Sequence, residues 1–119
     1  VFSDESGDHP AGTYLRNPPG SAHAPFSRAG CLLFVKLRQF APDDTARLCI
    51  DTGDASLWSP GDSPGLSILM LHSHGTERTL LLRSAPHTWY DTHSHPGGEE
   101  LLVLDGVLHD DLGRYARHT

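Results

Sequence analysis

No run of apolar residues in this chain approaches the roughly 20 that a membrane span requires, and no helical apolar stripe of useful length appears. The N-terminus has no basic segment leading into an apolar run, so no secretory signal is expected and a cytoplasmic protein is. Cys31 and Cys49 are the two cysteines, and they do not form a C-x-x-C pair. Small buried or free thiols are therefore expected rather than a disulfide. Positive charge is also scarce. Nine Lys and Arg stand against 15 Asp and Glu, a net charge of −6, which repels phosphate backbones and argues against a nucleic-acid partner. A G-x-S-x-G elbow, a P-loop, zinc-ribbon spacing and an EF-hand loop are all missing. The chain opens on Val1 rather than methionine, as a trimmed or partial chain would.

What is present points to many short strands. At 119 residues the chain suits one compact domain with a single modest core. Its 12 Gly and 9 Pro favour short elements joined by turns over a helical bundle. Cys31–Arg38 alternates Leu33, Val35 and Leu37 on one face with Phe34, Lys36 and Arg38 on the other. Leu66–Leu71, Thr79–Arg83 and Glu100–Leu104 are further apolar runs between turn residues. Phe40–Gly65, rich in Asp, Ser, Pro and Gly, reads as a connector with one strand near Arg47–Asp51. The expected class is all-β, an antiparallel sandwich or barrel. A short internal repeat is also visible: Val1–Thr13 and Val107–Thr119 match at Val, Asp, Gly and Thr.

Nine histidines are the compositional outlier, and histidine is the commonest metal ligand. In Thr92-His93-Ser94-His95-Pro96-Gly97-Gly98-Glu99 the two histidines are two residues apart, so on a strand they share a face. The Pro-Gly-Gly turn then returns Glu99 towards them. Two imidazoles and a carboxylate form a good first-row metal site; Glu100 is the alternative carboxylate if the turn is wide. His72-Ser73-His74 lacks such a following turn and is expected to be an exposed loop. His9, His87, His109 and His118 are expected at the surface, and Asp43-Asp44 and Asp110-Asp111 in solvated turns. Arg16, Tyr14, Trp58 and Trp89 could touch a ligand, but read better as packing or surface residues.

The spacing His93-x-His95-x3-Glu99-x6-Gly106 resembles the first cupin motif, and Gly12-x5-Pro18-x-Gly20-x2-His23 resembles the second. GGEELLVLDGV and GTYLRNPPGSAH are further similar to the ChrR-type cupins, a group that includes zinc-bearing domains of anti-sigma factors and acetylacetone-cleaving dioxygenases. The resemblance implies a cupin (double-stranded β-helix, jelly-roll) barrel with four metal ligands: His93, His95, Glu99 and His23. The motifs stand in reversed order, as though the back half of one cupin were joined to the front half of the next. One cupin-like domain over 1–119 is expected: residues 1–40 the back half, 41–65 a connector and 66–119 the front half. Either the chain closes as a circular permutant, or two chains exchange halves as a homodimer.

These ligands suit one divalent ion such as Zn, Fe, Mn, Ni or Cu. The resemblance implies a regulatory or small-molecule-sensing cupin. The alternative is a metal-dependent dioxygenase acting on an oxygen-chelating substrate such as a β-diketone, with the small molecule bound at the metal.

Overall fold

Turn chemistry decides where the chain first reverses. In the computed structural model, which describes residues 1–119, β1 (Phe2–Asp4) and β2 (Gly7–His9) form an antiparallel hairpin. Its corner is an Asx turn, with the Asp4 carboxylate accepting from the Ser6 amide at 2.8 Å. β3 (Thr13–Arg16) pairs antiparallel with β4 (Leu48–Asp51), the strand expected near 47–51. A short 3-10 turn at Ala55–Leu57 is capped by the Asp54 side chain, which accepts from the Ser56 amide at 2.9 Å. β5 (Ser59–Pro60), β6 (Leu66–His74) and β7 (Glu77–Ser84) then form a three-stranded antiparallel sheet in that order. Both apolar runs expected here as strands are strands, and each extends beyond its apolar stretch.

All of this lies in one compact unit, Val1–Trp89; a second, Tyr90–Thr119, carries the hairpin β8 (Val107–Asp110) and β9 (Gly113–Ala116). The chain is all-β, as its composition implies. The strands form four separate sheets, and none closes into the expected barrel.

The core of the first unit sits on β6. Leu69 is 1% exposed and Leu71 7%, while Met70 between them faces out, as strand alternation requires. Leu71 is also the extra residue of a β-bulge: Met70 pairs with Leu80 and His72 with Thr79. One extra residue shifts the alternation by one. Odd-numbered residues therefore point inward before the bulge, and His72 and His74 turn inward after it while Ser73 stays exposed.

The internal repeat is structural. Phe2 pairs with His9, Ser3 with Asp8 and Asp4 with Gly7. Their counterparts Leu108–Tyr115, His109–Arg114 and Asp110–Gly113 pair in the same register. Asp110 repeats the corner, accepting from the Leu112 amide at 2.8 Å. Even the cross-hairpin donor is repeated: His9 Nε2 reaches Asp4 at 3.2 Å, and the Tyr115 hydroxyl reaches Asp110 at 3.1 Å.

Two expected strands do not form. Cys31–Arg38 is extended apolar chain without a ladder partner, leaving Leu32 78%, Phe34 72% and Leu37 79% exposed. Alternation marks the residues that would face a core, but a strand exists only once a neighbour takes its backbone groups. Glu100–Leu104 likewise has no strand assignment. Val103 is tied in by its backbone, donating to the Thr119 carbonyl at 3.0 Å and accepting from the His118 amide at 2.6 Å.

Candidate metal centre

His93 and His95 lie on irregular chain rather than on a strand, which corrects the expectation that strand alternation would align them. The rings nonetheless meet, edge to face with centroids 4.7 Å apart. The turn at Pro96-Gly97 closes with the Gly98 amide donating to the His95 carbonyl at 2.9 Å. Gly98 takes a φ of +83°, which glycine adopts without strain. This brings the Glu99 carboxylate to 3.4 Å from His95 Nε2. His93 Nδ1 donates to the Asp91 carbonyl at 2.8 Å, which fixes the tautomer and leaves Nε2 with its lone pair outward. Metal-binding histidines are commonly oriented by such a bond on the other nitrogen.

His23, in the first unit, is held in the same manner. Its Nδ1 lies 3.1 Å from Asp4 Oδ2, leaving Nε2 available, and its ring rests against Phe2 at 6.0 Å. Hydrogen bonds from the Ser6 hydroxyl, then from His23 and the Ser6 amide, hold the Asp4 carboxyl far below the usual carboxylate range; burial opposes them, and His9 adds a smaller pull. A carboxylate behind an imidazole raises its basicity as a ligand. No three His, Cys, Asp or Glu side chains are gathered around one point as a metal ion needs. In kind the four donors fit a first-row divalent ion, and His93 and His23 also hold a ligating tautomer.

A second cluster was not foreseen from sequence. Arg16 and Asp44 are each only 5% exposed, so Arg16 packs as expected, while Asp44 is buried rather than solvated; Asp43 beside it stays exposed. The guanidinium fork takes both Asp44 oxygens, Nη1 to Oδ1 at 3.1 Å and Nη2 to Oδ2. Nη1 also donates to the Ala46 carbonyl at 2.9 Å, and the cation stacks on Phe40 at 3.9 Å. His72 Nε2 completes the set at 2.9 Å from Asp44 Oδ2, and His74 Nε2 lies 3.1 Å from Asp43. His72 and His74 therefore belong to β6 and to an ion-pair cluster rather than to an exposed loop. Burial pushes Asp44 towards its neutral form. The bonds from His72 and Arg16, the Ala46 amide and the Arg16 charge outweigh that, and its carboxyl stays below the usual range. The sequence carries only its parts, the His72-Ser73-His74 pair and the adjacent Asp43-Asp44, with nothing to bring them together.

His9 also departs from expectation: it is buried rather than at the surface, bonded on both ring nitrogens. His87, His109 and His118 are exposed as expected. Trp58 packs under Arg83 at 3.9 Å and donates to the Thr52 carbonyl at 3.0 Å, a structural role. Cys31 and Cys49 are free and exposed.

An all-β chain carrying both histidine motifs is a cupin-type domain. It belongs to the ChrR cupin-like domain family, whose sequence model matches residues 1–41 and 45–119. No curated protein and no solved structure matches the chain. No helix is long and apolar enough to cross a membrane.

Proposed function

We propose that this ChrR-like cupin domain binds one divalent first-row metal through His93, His95, Glu99 and His23, and serves a regulatory or small-molecule-sensing role. The observation that carries the reading is the shared arrangement of His93 and His23: each has Nδ1 engaged by an oxygen and Nε2 left as the donor. When bound, the metal would supply a Lewis-acidic centre able to take an oxygen ligand. Four protein donors suffice for a tetrahedral shell, which favours a structural or sensory ion over an open catalytic one.

The halves are joined by a second copy of this chain. Hairpin equivalence supports that reading. Ser3 on β1 exchanges backbone bonds of 2.9 Å with Phe26 in both directions, whereas His109, its counterpart on β8, has no such strand beside it. A partner's segment around Phe26 fits that open edge and carries its own His23 with it. The exposed Leu32–Leu37 run and a core of only two buried apolar residues also match a unit that finishes its packing on assembly.

Elemental analysis of tag-free protein tests the metal reading. About one metal per composite site is expected, lost in both His93→Ala and His23→Ala, with a dimeric mass in solution. Loss in His93→Ala beside full retention in His23→Ala would sink the joined-halves site. Oxygen consumption by Fe(II)-loaded protein with a β-diketone would overturn the sensory role in favour of a dioxygenase.

A further inference from the structure

The two hairpins send different side chains across to the corner aspartate. Where Tyr115 meets Asp110, the first copy has His9, whose imidazole has a second nitrogen. That nitrogen, Nδ1, lies 3.8 Å from Cys49 Sγ. Nε2 lies 3.2 Å from Asp4 Oδ1 and 3.2 Å from Ser6 Oγ. An ionised carboxylate only accepts, so Nε2 carries the ring proton and Nδ1 presents a lone pair to the thiol. His9 itself is buried against Phe2, with ring centroids 5.9 Å apart, so it cannot swing away cheaply. Thiol, base and orienting carboxylate thus stand in series, the arrangement that activates a nucleophile.

Cys49 does not face inward. Its side chain is exposed on β4 and lines a groove of about 290 Å³ with Asp4, Leu15, Asn17 and Arg47. Arg47 donates to Asn17 at 3.3 Å and brings a cation to the same groove. We propose that Cys49 is a nucleophilic thiol for small carboxylate-bearing electrophiles, with His9 as its general base, Asp4 positioning His9, and Arg47 attracting the carboxylate. In the step the sulfur attacks the electrophilic carbon and an S–C bond forms. The bond to the leaving group breaks with its electron pair, and the thiol proton passes to His9 Nδ1. The titratable and charged groups facing the thiol are His9 and Asp4 from the hairpin and Arg47 from the approach to β4.

Cys31 is an internal reference, equally free and exposed but without a histidine partner. Iodoacetate and iodoacetamide are the probes; with each, iodide leaves as the S–C bond forms. Peptide-resolved mass spectrometry should find Cys49 alkylated roughly tenfold faster than Cys31 near pH 7. His9→Gln should bring the two rates together. Asp4→Asn should displace the pH profile of Cys49 and leave that of Cys31 in place. The iodoacetate-to-iodoacetamide rate ratio should be several-fold higher at Cys49 than at Cys31, and Arg47→Gln should abolish that preference. Equal rates at the two cysteines in the unaltered chain would overturn the proposal without any variant. A Cys49 advantage that survives His9→Gln would overturn the base assignment, and equal probe ratios would overturn the anionic ligand class.

Discussion

Leu69→Ala tests where the stability of the first unit resides. Leu69 is the only apolar side chain with almost no exposure, at 1%, and it pairs across the β6–β7 ladder with Leu81. Truncating a buried leucine costs about 2–5 kcal/mol, rising with the volume of the cavity that remains. Here the only other buried apolar side chain is Leu71, so half-exposed neighbours can close into the gap. The expected cost is therefore near the low end, about 2–3 kcal/mol. Leu112, 89% exposed on the second hairpin, is the matched control, with an expected effect within about 0.5 kcal/mol. Urea unfolding followed by Trp58 fluorescence reads the first unit directly, because Trp58 sits under Arg83 there. With a urea slope of about 1–3 kcal/mol per molar, the midpoint should fall by roughly 0.7–3 M at unchanged slope. A Leu69→Ala midpoint no lower than that of Leu112→Ala would refute the placement of the core on β6.

Asp44 predicts an acid-sensitive fold. Its folded pKa lies below the ordinary value, so its contribution is fully present above the unfolded carboxylate pKa of about 3.9 and is lost as pH falls through the lowered folded value. Asp44→Asn should therefore be less stable than the parent at neutral pH, and urea midpoints across an acid titration should converge; a gap that widens on acidification would contradict the ion-pair account. Gly65→Ala should also destabilise. Gly65 has a φ of +83°, and an added Cβ would lie 2.7 Å from Thr88 Oγ1, so about 1–3 kcal/mol is expected by thermal or urea melting. An unchanged melting temperature would show that the turn before β6 relaxes freely.

The parts of the fold visible in sequence are those set by local rules. Leu66–Leu71 and Thr79–Arg83 are apolar runs, are separated by a His-Gly turn, and need only each other to pair, so they appear as strands. Cys31–Arg38 alternates as clearly, but its ladder partner is not supplied by any neighbouring segment, and alternation alone cannot say so. The histidine motifs were legible because their spacing is short-range. His93, His95 and Glu99 lie within seven positions of chain, around a turn whose glycines announce it, and His95 touches each of the other two. The Arg16–Asp44–His72 cluster was hidden for the opposite reason. Its members come from β3, the connector and β6, and His72 faces Asp44 only because Leu71 is a bulge. A period-two reading through that bulge places the histidine on the wrong face.

The two hairpins explain how one scaffold yields different chemistry. Both place an aspartate at the corner, where backbone amides fix it, and both send a side chain across to it from the second strand. In the later copy that side chain is Tyr115. Burial, then the bond and charge of Asp110, push its hydroxyl above the ordinary value, so the proton stays and the contact ends there. In the first copy His9 makes the same contact with one nitrogen and has another to spare, and β4 sets Cys49 against it. Asp4 also holds His23 by its second oxygen. One carboxylate thus orients two imidazoles, one towards the metal proposed for the assembled cupin and one towards the thiol. The two proposed sites are separable because each imidazole meets Asp4 through one nitrogen and turns the other away from it, while both depend on the same Asx turn.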